Sequence, residues 1–189
     1  AGVLQRLGAE VATDTGREVR VLAEGFDDLP PAHAQAVRSI CIQMVRNAIA
    51  HGIEDAGTRA ASGKPPAGTV RLRFAGDAAQ GWSLLVEDDG QGLDPKRIRE
   101  RAVQAGMLGA DEAAILDANG TFRLIFQPGF STASGVTEHA GRGVGLDLVS
   151  STVRESGGRI GIATVPGKFT RFKITFPGNA AGEAQSTAA

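Results

Sequence analysis

A two-layer α/β sandwich, its mixed or antiparallel sheet covered by helices on one face, is the fold class the sequence predicts, and three observations carry it. Period-two alternation of apolar residues marks short segments as half-buried strands. The order of elements, β-α-β-β-α-α-α-α-β-β, lacks the regular βαβ alternation of a doubly wound sheet and sets strands side by side in pairs. A chain of 189 residues, 42% hydrophobic and 22% charged, suffices for one well-buried core and is short for two.

Each element has its own local warrant. Val3, Leu4, Leu7 and Val11 form an amphipathic stretch with no evident partner, so residues 1–15 read as the end of an upstream helix or a linker. Val19 and Val21 mark the first strand. A helix is expected from about Pro31 to His51, with proline at its start, Gly52 past its end and an apolar stripe of Val37, Ile40, Cys41, Met44, Val45 and Ala48. Val70, Leu72 and Phe74 give a second strand, and Trp82 to Val86 a third. Asp94 caps a helix from Pro95 to Ala105, and shorter helices follow at Asp111 to Asp117 and Thr121 to Phe126. Gly145 to Ser156 is helical up to Gly157-Gly158. Arg159 to Thr164 and the alternating Phe172, Ile174 and Phe176 complete the sheet. Residues 107–140 are rich in Gly, Ser, Thr and Ala, break the periodic pattern and read as a mobile lid. Residues 178–189 read as a disordered tail or linker, which leaves one domain over 16–177.

The formal net charge is −1, from 20 basic and 21 acidic side chains, so no global field draws the protein to nucleic acid or to an anionic membrane. An anion must be held locally. Cys41 is the sole cysteine and makes no internal disulfide, no apolar run is long enough to span a bilayer, and no signal-like segment follows Ala1. A cytoplasmic location without membrane insertion is expected. With no initiating Met, the chain reads as a piece of a longer protein.

Four stretches carry chemistry. Gln43, Asn47 and His51 recur every four residues on one helix face, with Arg46 beside them. This is either a solvated face or one turned to a ligand, with the Asn47 carbonyl offered to a hard cation such as magnesium and His51 and Arg46 near phosphate. Asp88-Asp89-Gly90-Gln91-Gly92-Leu93 stands between a strand and a helix. It is either an Asp-Gly turn or a carboxylate that accepts a hydrogen bond from the adenine amine, with Gly90 and Gly92 admitting a flat ring. Phe130, Ser131 and Thr132 follow a helix stop at Pro128, on a loop suited to fold over a nucleotide. Gly141-Arg142-Gly143-Val144-Gly145-Leu146 leads into a helix whose free N–H groups suit phosphate; a flexible hinge is the other reading. It is not a dinucleotide-binding fingerprint, because Leu146 stands where the last glycine would, and no Walker-type loop is present.

In this order the four stretches resemble the N, G1, F and G2 boxes of the GHKL superfamily, which includes histidine kinases, DNA gyrase, the MutL repair proteins and a heat-shock chaperone. Arg46-Asn-Ala-Ile-Ala-His-Gly-Ile-Glu54, Gly63-Lys-Pro-Pro-Ala-Gly68, Pro128-Gly-Phe-Ser-Thr132 and Gly141-Arg-Gly-Val-Gly-Leu-Asp147 look like the CheA subfamily in particular. The resemblance covers roughly Gly16 to Pro177 and implies the Bergerat sandwich with a mobile ATP lid. It also implies that Asp88 recognises adenine, Asn47 holds magnesium, His51 and Arg46 lie near the phosphates, Leu93 and Leu146 flank the base or ribose, and Gly141, Gly143 and Gly145 form the loop beneath the phosphates.

The implied reaction moves the γ-phosphoryl group of ATP to a histidine on a separate phosphotransfer domain, which feeds a response regulator. Gln43 departs from the pattern, because family members usually place His or Glu there as the base. Gln accepts no proton usefully, which argues against a gyrase-like ATPase. For a kinase the loss slows transfer without abolishing it, since neutral imidazole is already a nucleophile. The alternative is a degenerate kinase that binds ATP as a regulatory module without phosphotransfer.

Overall fold

The structure, a computed structural model, describes residues 2–130 and 145–178. Five strands, β1 (Val19–Glu24), β2 (Gly68–Asp77), β3 (Gly81–Asp88), β4 (Arg159–Val165) and β5 (Phe169–Phe176), form one sheet in the order β1-β2-β3-β5-β4. β1 runs parallel to β2 and every other pair is antiparallel, so the sheet is mixed as expected. Alternation decides which face is covered. Val21, Val70, Leu72, Phe74, Leu84, Val86, Phe172, Ile174 and Phe176 are buried, whereas Arg20, Arg71, Arg73, Arg171 and Lys173 face solvent.

The covering layer consists chiefly of α1 (Gly2–Thr15), α2 (Pro31–Asn47) and α7 (Leu146–Glu155). Pro31 starts α2, and its stripe of Val37, Ile40, Cys41, Met44, Val45 and Ala48 is buried as the spacing requires. Burial pushes the Cys41 thiol up to about 12, so it behaves as an inert apolar group. α1 has the partner that the sequence did not disclose. Leu4, Gly8 and Ala12 face the core, and α1 lies so close to β1 that a Cβ at Gly8 would stand 2.3 Å from Val21 Cγ2.

Three boundaries differ from expectation. The long helix is α-helical only to Asn47 and continues as a π turn over Ala48–Gly52, closed by the Ile53 N–H donating to the Ala48 carbonyl at 2.7 Å. A short helix, α3 (Ala56–Ala61), starts where the Asp55 side chain accepts from the Thr58 N–H. Asp117 does not end a helix but caps the next one, accepting from the Gly120 N–H at 2.6 Å. α5 is therefore Ala110–Ile115, and α6 (Ala118–Arg123) runs on as a 3-10 turn to Phe126. α4 (Pro95–Gln104) keeps its Asp94 cap. Of the 107–140 stretch, residues 107–130 hold α5, α6 and the 3-10 turn, which pack against α4 and α7 through buried Ala113, Thr121 and Ile125.

Candidate functional site

A cleft of about 1010 Å³ opens between the end of α2 with its π turn, the loop after β3, α4, and the start of α7. Asp88 lies on its floor. It is the last residue of β3 and pairs with Val70 on β2 and Thr170 on β5, so the centre of the sheet fixes its backbone. Its side chain is 5% exposed. Oδ1 accepts from the Gly90 N–H at 3.0 Å. Burial pushes the carboxyl up to about 7; the Gly90 N–H pulls the other way, the Asp89 and Glu54 carboxylates push it further up, and the Lys64 ammonium pulls it down.

The glycines after Asp88 serve the chain itself. A Cβ on Gly90 would lie 2.1 Å from the Gly52 carbonyl oxygen, and Gly92 has φ +69 with Val165 O close behind it. The loop docks on the π turn by two hydrogen bonds. The Gln91 N–H donates to Gly52 O at 2.9 Å, and the Gln91 side chain donates to His51 O at 2.6 Å.

Asn47, at the end of α2, reaches the same cleft. Among the described residues its buried Nδ2 has no hydrogen-bond partner, a costly condition that a ligand oxygen would relieve. His51 borders the cleft with an exposed side chain, and its ring is held below the ordinary imidazole value, by desolvation first and by Arg17 second. Leu93 lines the cleft and donates its N–H to Thr164 Oγ1 at 2.9 Å. Gly145 and Leu146 line it at the start of α7, and Phe130 closes one side. Gln43 and Arg46 lie outside the lining: Gln43 is half-buried one turn before Asn47, and Arg46 is exposed. Ser131, Thr132, Gly141, Arg142, Gly143 and Val144 lie outside the described residues.

Sequence reasoning missed three contributors. Buried Thr170 stands beside Asp88 in the sheet and lines the cleft; one threonine in an alternating strand gives no signal. Arg17 also lines the cleft, and its Nη1 donates to Ile49 O at 2.5 Å and Ala50 O at 2.6 Å, gripping carbonyls that the π turn leaves free. Arg59, Lys64, Glu54 and Asp89 form an ion network behind the loop. Lys64 belongs to the Gly63–Gly68 segment, whose pattern was visible but whose partners were not. A second cleft of about 910 Å³ between α6, α7 and β4 contains none of the expected nucleotide contacts.

Residues 32–180 match the family model described as histidine kinase-, DNA gyrase B-, and HSP90-like ATPase. The chain is 36% identical over 169 residues to a gliding motility regulatory protein of Myxococcus xanthus, covering 89% of this chain and 22% of that protein. It is 40% identical over 136 residues to the chemotaxis protein CheA of Bacillus subtilis, covering 72% of this chain and 20% of CheA. The chain thus spans about a fifth of the length of these relatives. In fold it resembles a mycobacterial sensor histidine kinase, MprB, with a TM-score of 0.50 at 19% identity over 94% of each chain.

Proposed function

The chain belongs to the histidine kinase-, DNA gyrase B- and HSP90-like ATPase family, closely related to CheA-type kinases, and from that premise we propose that it is the catalytic domain that transfers the ATP γ-phosphoryl group to a histidine on a phosphotransfer domain. The observation that carries this reading is the pairing, in one cleft, of the buried Asp88 carboxyl with the unpartnered Asn47 amide. Asp88 reads the adenine amine on the cleft floor, and Thr170 beside it shapes the same pocket. Leu93 and Leu146 supply apolar walls.

The Asn47 amide would hold a magnesium–phosphate group, its carbonyl oxygen serving as a ligand for the cation and its unpartnered nitrogen as a donor to a phosphate oxygen. When bound, magnesium supplies neutralisation of charge developing on the phosphates. Among the described residues no three His, Cys, Asp or Glu side chains gather as a metal cage. His51 stays neutral at pH 7 and donates or accepts one hydrogen bond at the cleft margin. Gln43, one turn before Asn47, offers no proton acceptor, so the acceptor histidine attacks through its own lone pair. Gly145, at the start of α7, lines the phosphate side of the cleft in this reading. Among the described residues no helix is long and apolar enough to cross a membrane.

The test supplies the domain with magnesium, labelled ATP and a cognate phosphotransfer domain. Acid-labile label on the acceptor is expected, and Gln43→His should raise the transfer rate by up to roughly a hundred-fold. Nucleotide binding without any transfer, in both forms, would instead favour an ATP-sensing regulatory module.

A further inference from the structure

Behind the Asp88 loop lies a set of four charges that balances to zero: Arg59 and Lys64 against Glu54 and Asp89. Lys64 spends all three ammonium donors on it, to Glu54 Oε1 at 2.6 Å, Asp89 O at 3.0 Å and Gly90 O at 2.7 Å. Arg59 is fully buried and donates to Pro65 O, Glu54 Oε2, Asp89 O and Asp89 Oδ2. Asp89 Oδ1 in turn accepts from the Thr69 N–H at 2.9 Å, tying the cluster to β2.

What the cluster grips is specific. The Gly90 residue donates its N–H to Asp88 and offers its carbonyl to Lys64, so it is held from both sides. A well-packed apolar segment would support a loop as firmly as buried ions do. An ammonium adds something apolar packing lacks, a positive charge close to a carboxyl sunk in a nonpolar floor. We propose that Lys64, backed by Arg59, is a positioning residue for nucleotide recognition: it holds the Asp89–Gly90 backbone so that the Asp88 carboxyl meets adenine at the right depth and with the charge its amine requires. This rests on the reading of the cleft as a nucleotide site.

Two mechanisms follow from one side chain and separate with pH. The charged groups facing Asp88 are Asp89 on its own loop, and Glu54 and Lys64 from the segment beyond the π turn. The two acids push its proton affinity up and Lys64 pulls it down, so removing the ammonium moves the Asp88 titration to higher pH. Loss of the backbone grip, by contrast, costs the same at every pH.

The experiment is calorimetric titration of the chain with magnesium–ATP from pH 6 to 9, for the native protein, Lys64→Met, Lys64→Gln and Lys64→Arg, with folding checked by circular dichroism. Ratios of variant to native affinity cancel the titration of the nucleotide's own phosphates. Lys64→Met is expected to bind about ten-fold more weakly at pH 7 and to recover to within about three-fold at pH 9, as Asp88 ionises without help. Lys64→Gln, a smaller perturbation should the Met variant not fold, follows the same pH trend, and Lys64→Arg retains the native profile. A loss of affinity that is constant with pH, or affinity equal to the native protein's in both neutral variants, overturns the proposal. Absence of ATP binding by the native chain would instead overturn the nucleotide reading itself.

Discussion

In the proposed reading Asp88 is both buried and an acceptor for the adenine amine, and these demands oppose each other. Its carboxyl is raised from the usual carboxylate value to about 7, so the folded protein holds this proton more tightly than the unfolded chain does. The resulting stabilisation is complete below about pH 4 and is lost as pH rises from there to about 7. Asp88→Asn removes the burden. It is expected to stabilise the ligand-free domain by about 2–4 kcal/mol at pH 8 and by little at pH 4.5, as read by urea unfolding. The same substitution should weaken ATP binding roughly a hundred-fold, because an amide presents a donor and a weaker acceptor to the adenine amine. A variant that is less stable at pH 8, or that binds ATP normally, would sink this account. The Asp88 segment stood out by its acid-glycine pattern, which left a plain turn open as well; its neighbour Thr170 gave no signal, because a threonine inside a strand is ordinary sheet composition.

At the scale of elements, the site is a docking of two pieces of backbone, the π turn of Ala48–Gly52 and the Gly90–Gly92 loop. Gly90→Ala would drive its Cβ to 2.1 Å from Gly52 O and 2.7 Å from Asp88 Oδ1. An expected cost of about 1–3 kcal/mol in thermal or urea unfolding should accompany loss of nucleotide binding. Gly106→Ala is the control: φ is +69 and open space surrounds it, so about 1 kcal/mol is lost while affinity holds. The five strands and the long helices were legible because alternation and proline or aspartate starts are local signals. The π turn was not, since its contacts, to Arg17 and to the β3 loop, come from segments distant in the chain. α3 escaped because six residues with a glycine inside show no period, and the α5–α6 boundary slipped because an aspartate serves equally well at the end of one helix and the cap of the next.

For the molecule as a whole, the mixed sheet with one covered face was readable from element order, yet pairing β1 parallel to β2 depends on a contact between chain segments 49 residues apart at Val19 and Gly68. The order of the motifs along the chain indicated a nucleotide cleft, but not what holds it open or closed. Arg17 lies in the turn between α1 and β1 and grips the carbonyls of Ile49 and Ala50. Arg17→Met should let the His51 ring titrate closer to the ordinary imidazole value in an NMR titration, because one of the two influences depressing it is gone. An unchanged His51 midpoint would argue that Arg17 only supports the backbone.

The grip of Arg17 also implies a linkage. If loosening α1 frees the π turn and thereby weakens ATP, then ATP must by the same amount restrain α1 and β1, since coupling between two parts of a molecule is reciprocal. Amide hydrogens of Leu4 to Ala12 and of β1, none of which lines the cleft, should then exchange more slowly when the cleft is filled, and that slowing should vanish in Arg17→Met.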